Sequence, residues 1–105
     1  MEKEAQMIKA AHIPATGEPT EFEWDKIPPL HELQEYVGGT IERILVPIPH
    51  WFNPERYHEM LINEDALRLE LEINRRATII TGYRLFGDVL LFEGTPMQEE
   101  GRKQE

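Results

Sequence analysis

The residues that could carry chemistry in this chain stand singly or in pairs, outside any complete catalytic signature. Arg75 follows Asn74 directly, and a guanidinium can hold a phosphate or a carboxylate through two parallel hydrogen bonds. Trp51 and Phe52 are adjacent aromatic residues, suited to anchoring a protein partner or to stacking on a base. This pattern favours a binding protein over an enzyme. The predicted binding residues are Glu42, Trp51, Phe52, Asn63, Glu64, Asn74, Arg75 and Arg76.

Structural roles compete with binding for several of these residues. Asn63 and Asn74 stand where an asparagine caps a turn or a helix, and the arginines after Asn74 have an excess of carboxylates to pair with. The Gly-Gly pair at positions 38 and 39 has two interpretations, a helix stop and a backbone cradle for a ligand. The predicted turn residues are Gly38, Gly39, Gly87 and Asp88.

Composition excludes several kinds of site. The chain contains no serine and no cysteine, which excludes serine and cysteine nucleophiles, disulfides and thiolate zinc sites. The four histidines are scattered without the spacing of paired metal ligands, and no phosphate-binding or dinucleotide-binding glycine motif is present. We therefore predict neither a metal nor a cofactor.

The charge of the chain restricts its partners. Twenty acidic and eleven basic residues give a net charge of -9, of which -6 falls in residues 1–42 and -3 in residues 43–105. An acidic chain is repelled by the phosphate backbone, so direct nucleic-acid binding is disfavoured. The sequence shows neither a signal peptide nor an apolar run of the roughly 18 to 20 residues that a membrane span needs. We expect a cytoplasmic protein that does not bind membranes.

The elements that position these residues begin with a hairpin. Residues 7–13 and 20–24 are predicted to pair as strands, since Phe22 and Trp24 alternate with Glu21 and Glu23. The residues between the two strands favour a turn, in which Gly17 can take a positive φ. One face of the second strand is therefore predicted to be wet.

A short helix and an edge strand follow. The helix is predicted over residues 29–37, with Pro29 at its first position and Leu30, Leu33 and Val37 on the face that packs on a sheet. Residues 40–48 are predicted to form a strand, and prolines 47 and 49 confine it to an edge. The aromatic residues after this edge either cover it in a symmetric dimer or fold back on their own core, and they are Trp51, Phe52 and Tyr57.

The second half is predicted to contain two more hairpin strands, a helical turn and a central strand. Residues 50–57 favour a helical turn. The apolar residues 60–62 and the residues 67–73, which alternate in polarity, are predicted to form the two strands of a hairpin. Asn74 is predicted to cap a second short helical segment through Ile80, and Val89 to Phe92 are apolar on both faces, as in a central strand.

The predicted fold class is α+β. We expect one small domain over residues 1–96, a mainly antiparallel sheet with the helix 29–37 packed on it, and a disordered polar tail over residues 97–105. The predicted core residues are Leu30, Leu33, Val37, Ile41, Ile44, Leu69, Leu71, Val89 and Leu91.

A longer pattern runs through the middle of the chain. It reads Leu-x-x-Leu-Gln-x-x-Val-Gly-Gly-x-Ile-Glu, then Asn-Glu, then Asn-Arg eleven residues on, and finally Gly-Asp before apolar residues. It resembles the pattern of a family of small bacteriophage and plasmid proteins of unknown function. Two family glycine positions differ, since Ala66 and the segment 70–72 replace them, and residues 50–57 look like an addition. The matching residues are Leu30, Leu33, Gln34, Val37, Gly38, Gly39, Ile41, Glu42, Asn63, Glu64, Asn74, Arg75, Gly87 and Asp88.

The resemblance implies a non-enzymatic phage-type interaction protein in the host bacterial cytoplasm. Such a protein would bind and modulate or inhibit a host factor, for example in host defence, or a nucleic-acid enzyme whose basic cleft an acidic surface would fill. The alternative is a small-molecule binder that sequesters a nucleotide-derived signal, with Arg75 or Arg76 on a phosphate and Trp51, Phe52 or Tyr83 stacked on the base. Both hypotheses remain open on the sequence.

Overall fold

In residues 7–47 and 57–97, which the computed structural model describes, five antiparallel strands form one sheet between two short helices. The strand order is β2-β1-β5-β4-β3. The predicted α+β class is confirmed. The elements are β1 (Ile8–Ile13), β2 (Thr20–Trp24), α1 (Leu30–Val37), β3 (Ile41–Pro47), β4 (Tyr57–Asn63), α2 (Arg75–Thr81) and β5 (Val89–Phe92).

The side chains of the sheet alternate between two apolar layers, one under each helix. In the α1 layer, Leu33 and Val37 pack against the sheet residues Ala10, Leu61, Leu90 and Phe92. In the α2 layer, Ala77 packs with Ile13, Val46, Met60, Leu85 and Val89. β5 contributes to both layers and lies in the middle of the sheet, which confirms the prediction of a central strand that is apolar on both faces.

The first half of the chain follows its local signals. β1 and β2 pair in the predicted hairpin, and Gly17 in the turn has a φ of 103°. α1 begins at Leu30 with Pro29 as its N-cap, one residue later than predicted, and ends at Gly38, whose φ of 81° is left-handed. A side chain at that φ is strained, so the glycine is the expected residue. β3 is an edge strand, as its prolines predicted.

The predicted strand over residues 67–73 is wrong. Residues 64–70 form successive turns instead, and Leu67 is 72% exposed. The N–H groups of Leu69 and Leu71 donate to the carbonyls of Asp65 and Ala66, so these groups are satisfied locally and no ladder is required. Within residues 67–73, Ile73 alone forms a β-bridge, an isolated antiparallel one to Phe86. Alternation of polarity alone did not distinguish these turns from a strand.

The predicted core is correct at its centre and wrong at two positions. Leu33, Val37 and Val89 are buried, whereas Leu30 is 60% exposed and Leu69 is also exposed. Leu30 is the first residue of α1, and its side chain does not belong to the apolar layer that Leu33 and Val37 form with the sheet. Half-buried positions among the predicted core residues are Ile41, Ile44, Leu71 and Leu91.

Some predictions fall partly or wholly outside the described residues. The predicted helical turn over residues 50–57 lies outside them except for Tyr57, which begins β4. Met97, the first residue of the predicted tail, packs against the α1 layer, and residues 98–105 lie outside the described part of the chain.

Candidate functional site

Asn74, a predicted binding residue, is completely buried and joins three segments of backbone. Its Oδ1 accepts a hydrogen bond of 3.0 Å from the N–H of Ala77, which caps α2. Its Nδ2 donates to the carbonyl oxygens of Ile13 and Gly87 at 2.8 and 2.9 Å. The side chain therefore fastens the start of α2 to the end of β1 and to the turn before β5.

Asn63 has a similar role at the opposite helix. Its Nδ2 donates to the carbonyl of Val37 at 3.1 Å, and its Oδ1 accepts from the N–H of Asp65 at 2.7 Å. A Cβ atom on Gly39 would lie 3.0 Å from the Asn63 Nδ2, so glycine there leaves room for the amide. Asn63 thus ties the end of α1 to the turn after β4. The buried asparagines are positioned to hold the fold rather than to face solvent.

The remaining predicted binding residues that the structure describes are exposed and lie at two places. Glu42 is exposed on the edge strand β3, and Glu64 is exposed at the start of the turn after β4, where its N–H donates to the carbonyl of Thr40. Arg75 and Arg76 are exposed in the first turn of α2. Trp51 and Phe52 lie outside the described residues. Among the predicted binding residues that the structure describes, Arg75 and Arg76 lie together at the start of α2, and Glu42, Asn63 and Glu64 lie together where the start of β3 pairs with the end of β4.

These arginines belong to a larger exposed surface on α2 and the loop that follows it. Ile79 is 82% exposed and Tyr83 is 63% exposed, although both are large apolar side chains. Arg75, Arg76, Ile79 and Ile80 stand three and four residues apart in α2 and therefore share one helix face, and Tyr83 and Arg84 are exposed in the loop directly after the helix. We call this group of exposed residues the α2 surface, and it consists of Arg75, Arg76, Ile79, Ile80, Tyr83 and Arg84.

The α2 surface is the basic part of an acidic protein. Residues 74–87 contain three arginines and no aspartate or glutamate, so this segment carries a charge of +3. The rest of the chain carries -12, which gives the net charge of -9. Arg76 forms an exposed ion pair of 3.3 Å with Glu18. Arg75 and Arg84 form no ion pair with any residue in the described ranges 7–47 and 57–97. Their guanidinium groups are available to carboxylates of a partner.

A groove lies on the sheet face that packs against α2, and the sequence did not predict it. It has a volume of about 550 Å³ and lies across β2, β1 and β5. Ala11 and Leu91 form its floor, and both also pack against the α2 layer. The charged side chains at the groove are Lys9, Glu21, Glu23 and Glu93. The alternation of β2 indicated a wet face carrying two glutamates, but the strand order that makes this face part of a groove is a tertiary property.

Two further polar clusters fasten the ends of strands. The Oδ2 of Asp88 lies 3.1 Å from the His12 Nε2, and its Oδ1 accepts from the N–H of Ala15 at 3.0 Å. The carboxylate of Glu59 is completely buried, with one oxygen 2.7 Å from the Arg43 Nη1 and the other accepting from a backbone N–H. That N–H belongs to Met97, so Glu59 holds the segment after β5 against the sheet.

Within residues 7–47 and 57–97, no three His, Asp or Glu side chains are grouped so that they could hold a metal ion. No helix in these ranges is long and apolar enough to cross a membrane. The family resemblance of the sequence stays a prediction. Comparisons of the chain with models of protein families, with curated proteins and with solved structures found no match.

Proposed function

We propose that this chain is an interaction protein that binds a partner protein through the α2 surface and modulates that partner without chemistry of its own. The observation that carries the proposal is the exposure of Ile79 and Tyr83 beside three arginines. Apolar side chains that form a continuous exposed patch mark interaction sites more often than scattered ones do. Arginine and tyrosine are also among the residues that contribute most to protein interfaces.

The energetics of this surface favour its burial. Covering a large apolar side chain such as Ile79 stabilises a complex by roughly 1.5 to 3 kcal/mol relative to leaving it in water. Exposed ion pairs contribute less, on the order of 0 to 1 kcal/mol each, but they set which partners are accepted. A partner surface with apolar residues framed by carboxylates fits this combination. The α2 surface therefore selects an acidic partner through its arginines and gains affinity through its apolar residues.

The sequence resemblance supplies the biological setting of the proposal. A phage-type protein with this surface would bind a bacterial host factor in the cytoplasm and block or alter its action, and a factor of host defence is one such target. The acidic remainder of the chain disfavours nucleic acid as the direct ligand. This proposal assigns the contact to the basic segment of the chain, whereas one expectation from the sequence was that an acidic surface fills a basic cleft of the partner.

The test is quantitative capture of partners from a bacterial lysate with matched variants. The α2 variant is Arg75→Glu/Arg84→Glu, and the control is Lys26→Glu/Arg68→Glu on exposed positions elsewhere. Each pair turns two cations into anions and so changes the net charge from -9 to -13. We expect the control to retain the same partner as the wild type and the α2 variant to lose it at least tenfold.

The salt dependence of capture and the comparison of the two charge variants give the results that would contradict the proposal. Raising the ionic strength should weaken the wild-type complex without abolishing it, because the arginine contacts are screened and the apolar contacts are not. Equal loss of the partner in both variants would mean that net charge, and not the α2 surface, controls binding. Retention of no partner even at low salt would contradict the proposal.

One observation favours the alternative of a nucleotide-derived ligand. Tyr83 and Arg84 are adjacent and exposed on the same surface as Arg75 and Arg76, so a ring and several guanidinium groups are available together. A ligand at 100 times its dissociation constant stabilises the folded state by about 2.7 kcal/mol. A thermal-shift screen against nucleotides would therefore detect it, and an unchanged melting temperature with every nucleotide would exclude this alternative.

A further inference from the structure

The α2 surface and the groove lie side by side on one face of the sheet. Ala77 anchors α2 in the layer that contains Ile13 and Val89. Ala11 and Leu91, two residues further along the same strands, extend this layer and become the floor of the groove. The face thus consists of a raised half, which is the helix, and a hollow half, which is the groove.

The two halves have opposite charge. The raised half carries Arg75, Arg76 and Arg84 and no carboxylate between residues 74 and 87. The hollow half places three glutamates and one lysine around an apolar floor. Lys9 is directly opposite Glu23 in the β1–β2 register, which leaves Glu21 and Glu93 in excess. A cationic surface with protruding apolar side chains is therefore complementary to the groove in charge and in polarity.

We propose that a second copy of this chain fills the groove, with the α2 surface of each copy seated in the groove of the other. Because helix and groove are neighbours on one face, a rotation of 180° about an axis between them, in the plane of the interface, brings each helix over the opposite groove. Such an isologous contact is the commonest form of oligomer, and every contact in it occurs twice. This interface is distinct from the edge-strand dimer that the aromatic residues 51, 52 and 57 predicted.

The pair would also regulate the proposed function, on which this part of the inference rests. Self-association covers the surface that we propose for the host partner, so only a dissociated copy can bind that partner. In the pair, Ile79 and Tyr83 are shielded from water and from nonspecific contacts. An acidic partner that binds the α2 surface more tightly than the second copy does would displace that copy. Binding of the partner and formation of the pair are then mutually exclusive.

Charge reversal with mutual rescue tests the interface. One variant is Arg75→Glu/Arg84→Glu on the α2 surface, and the other is Glu21→Lys/Glu93→Lys in the groove. Each variant alone faces like charges at both contacts of a symmetric pair. A mixture of the two restores opposite charges at both contacts, since glutamates on one helix meet lysines in one groove and arginines meet glutamates in the other.

The readout is mass by light scattering at tens of micromolar protein, with circular dichroism to show that each variant is folded. We expect the wild type to have twice the mass of a 12.3 kDa chain, each variant alone to be monomeric, and the equimolar mixture to regain the double mass. The variant Lys26→Glu/Arg68→Glu should remain dimeric. A monomeric wild type, variants that stay dimeric, or a folded mixture that fails to associate would each overturn the proposed pair.

The same variants separate failure of the pair from failure of the proposed function. The groove variant leaves the α2 surface intact, so in the lysate it should capture the partner at least as well as the wild type does. If the wild type is monomeric but its capture depends on α2, the pair is wrong and the function stands. If the charge-rescued pair forms but no partner depends on α2, the function is wrong and the pair stands.

Discussion

Replacing Asn74 by alanine should destabilise this protein more than any exposed substitution can. The change removes three hydrogen bonds in one completely buried position, at 2.8, 2.9 and 3.0 Å. It leaves the carbonyls of Ile13 and Gly87 and the N–H of Ala77 without these partners. A buried polar group that loses its partner costs about 1 to 3 kcal/mol. Since the three bonds belong to one network, their losses do not simply add, and we expect about 3 to 5 kcal/mol in total.

This loss is large against the stability of a typical domain, about 5 to 15 kcal/mol. Urea unfolding followed by circular dichroism measures it. With a slope of about 2 kcal/mol per molar urea, the midpoint should fall by about 2 M. The matched control is Asn74→Ser, which retains an oxygen to cap α2 and should therefore lose about 1 kcal/mol less than alanine does.

Two results would refute the reasoning about Asn74. A loss below about 1 kcal/mol for Asn74→Ala would mean that water or a local rearrangement satisfies the three backbone groups. Equal losses for alanine and serine would mean that the capping bond to Ala77 contributes nothing. The first result would remove Asn74 as the residue that fastens α2, and with it the reason why the α2 surface has a fixed position.

The remaining predictions concern the α1 layer and the buried carboxylate. Leu33→Ala should lower the free energy of unfolding by roughly 2 to 5 kcal/mol, whereas Leu30→Ala in the same helix should change it by less than about 1 kcal/mol, because only the first side chain is buried. Equal losses in denaturant titrations would contradict this assignment of faces. Arg43→Met removes a 2.7 Å ion pair from the completely buried Glu59 and should cost about 2 kcal/mol or more. Adding Glu59→Gln to that variant should recover part of the loss, and a double variant that is less stable than Arg43→Met would contradict the explanation.

Part of the candidate site was accessible from sequence because local chemistry determines it. Asn74 precedes a helical segment whose first N–H groups have no partner within the helix, asparagine is among the preferred capping residues, and the structure shows that cap. The two arginines follow in the first helical turn, and charged side chains are expected to face solvent, as these do. The exposure of Ile79 and Tyr83 could not be predicted from the sequence in the same way. Apolar residues in a short helix predict a packed face, and only the position of α2 on the sheet shows which face remains outside.

The sequence by itself determined the α+β class, the first hairpin, the limits of α1 within one residue and the cap of α2. These features depend on prolines, glycines, caps and periodicity within a few residues, and such interactions form wherever the segment lies. Tertiary structure decided the sheet order, since β1 and β5 pair across about eighty residues without any local signal. It also decided that residues 64–70 turn instead of pairing, because β3 and β5 occupy both sides of β4 and leave no position for a further strand beside it. The groove beside the α2 surface follows from the strand order, since residues of β2, β1 and β5 line it and these strands are neighbours only in the folded sheet.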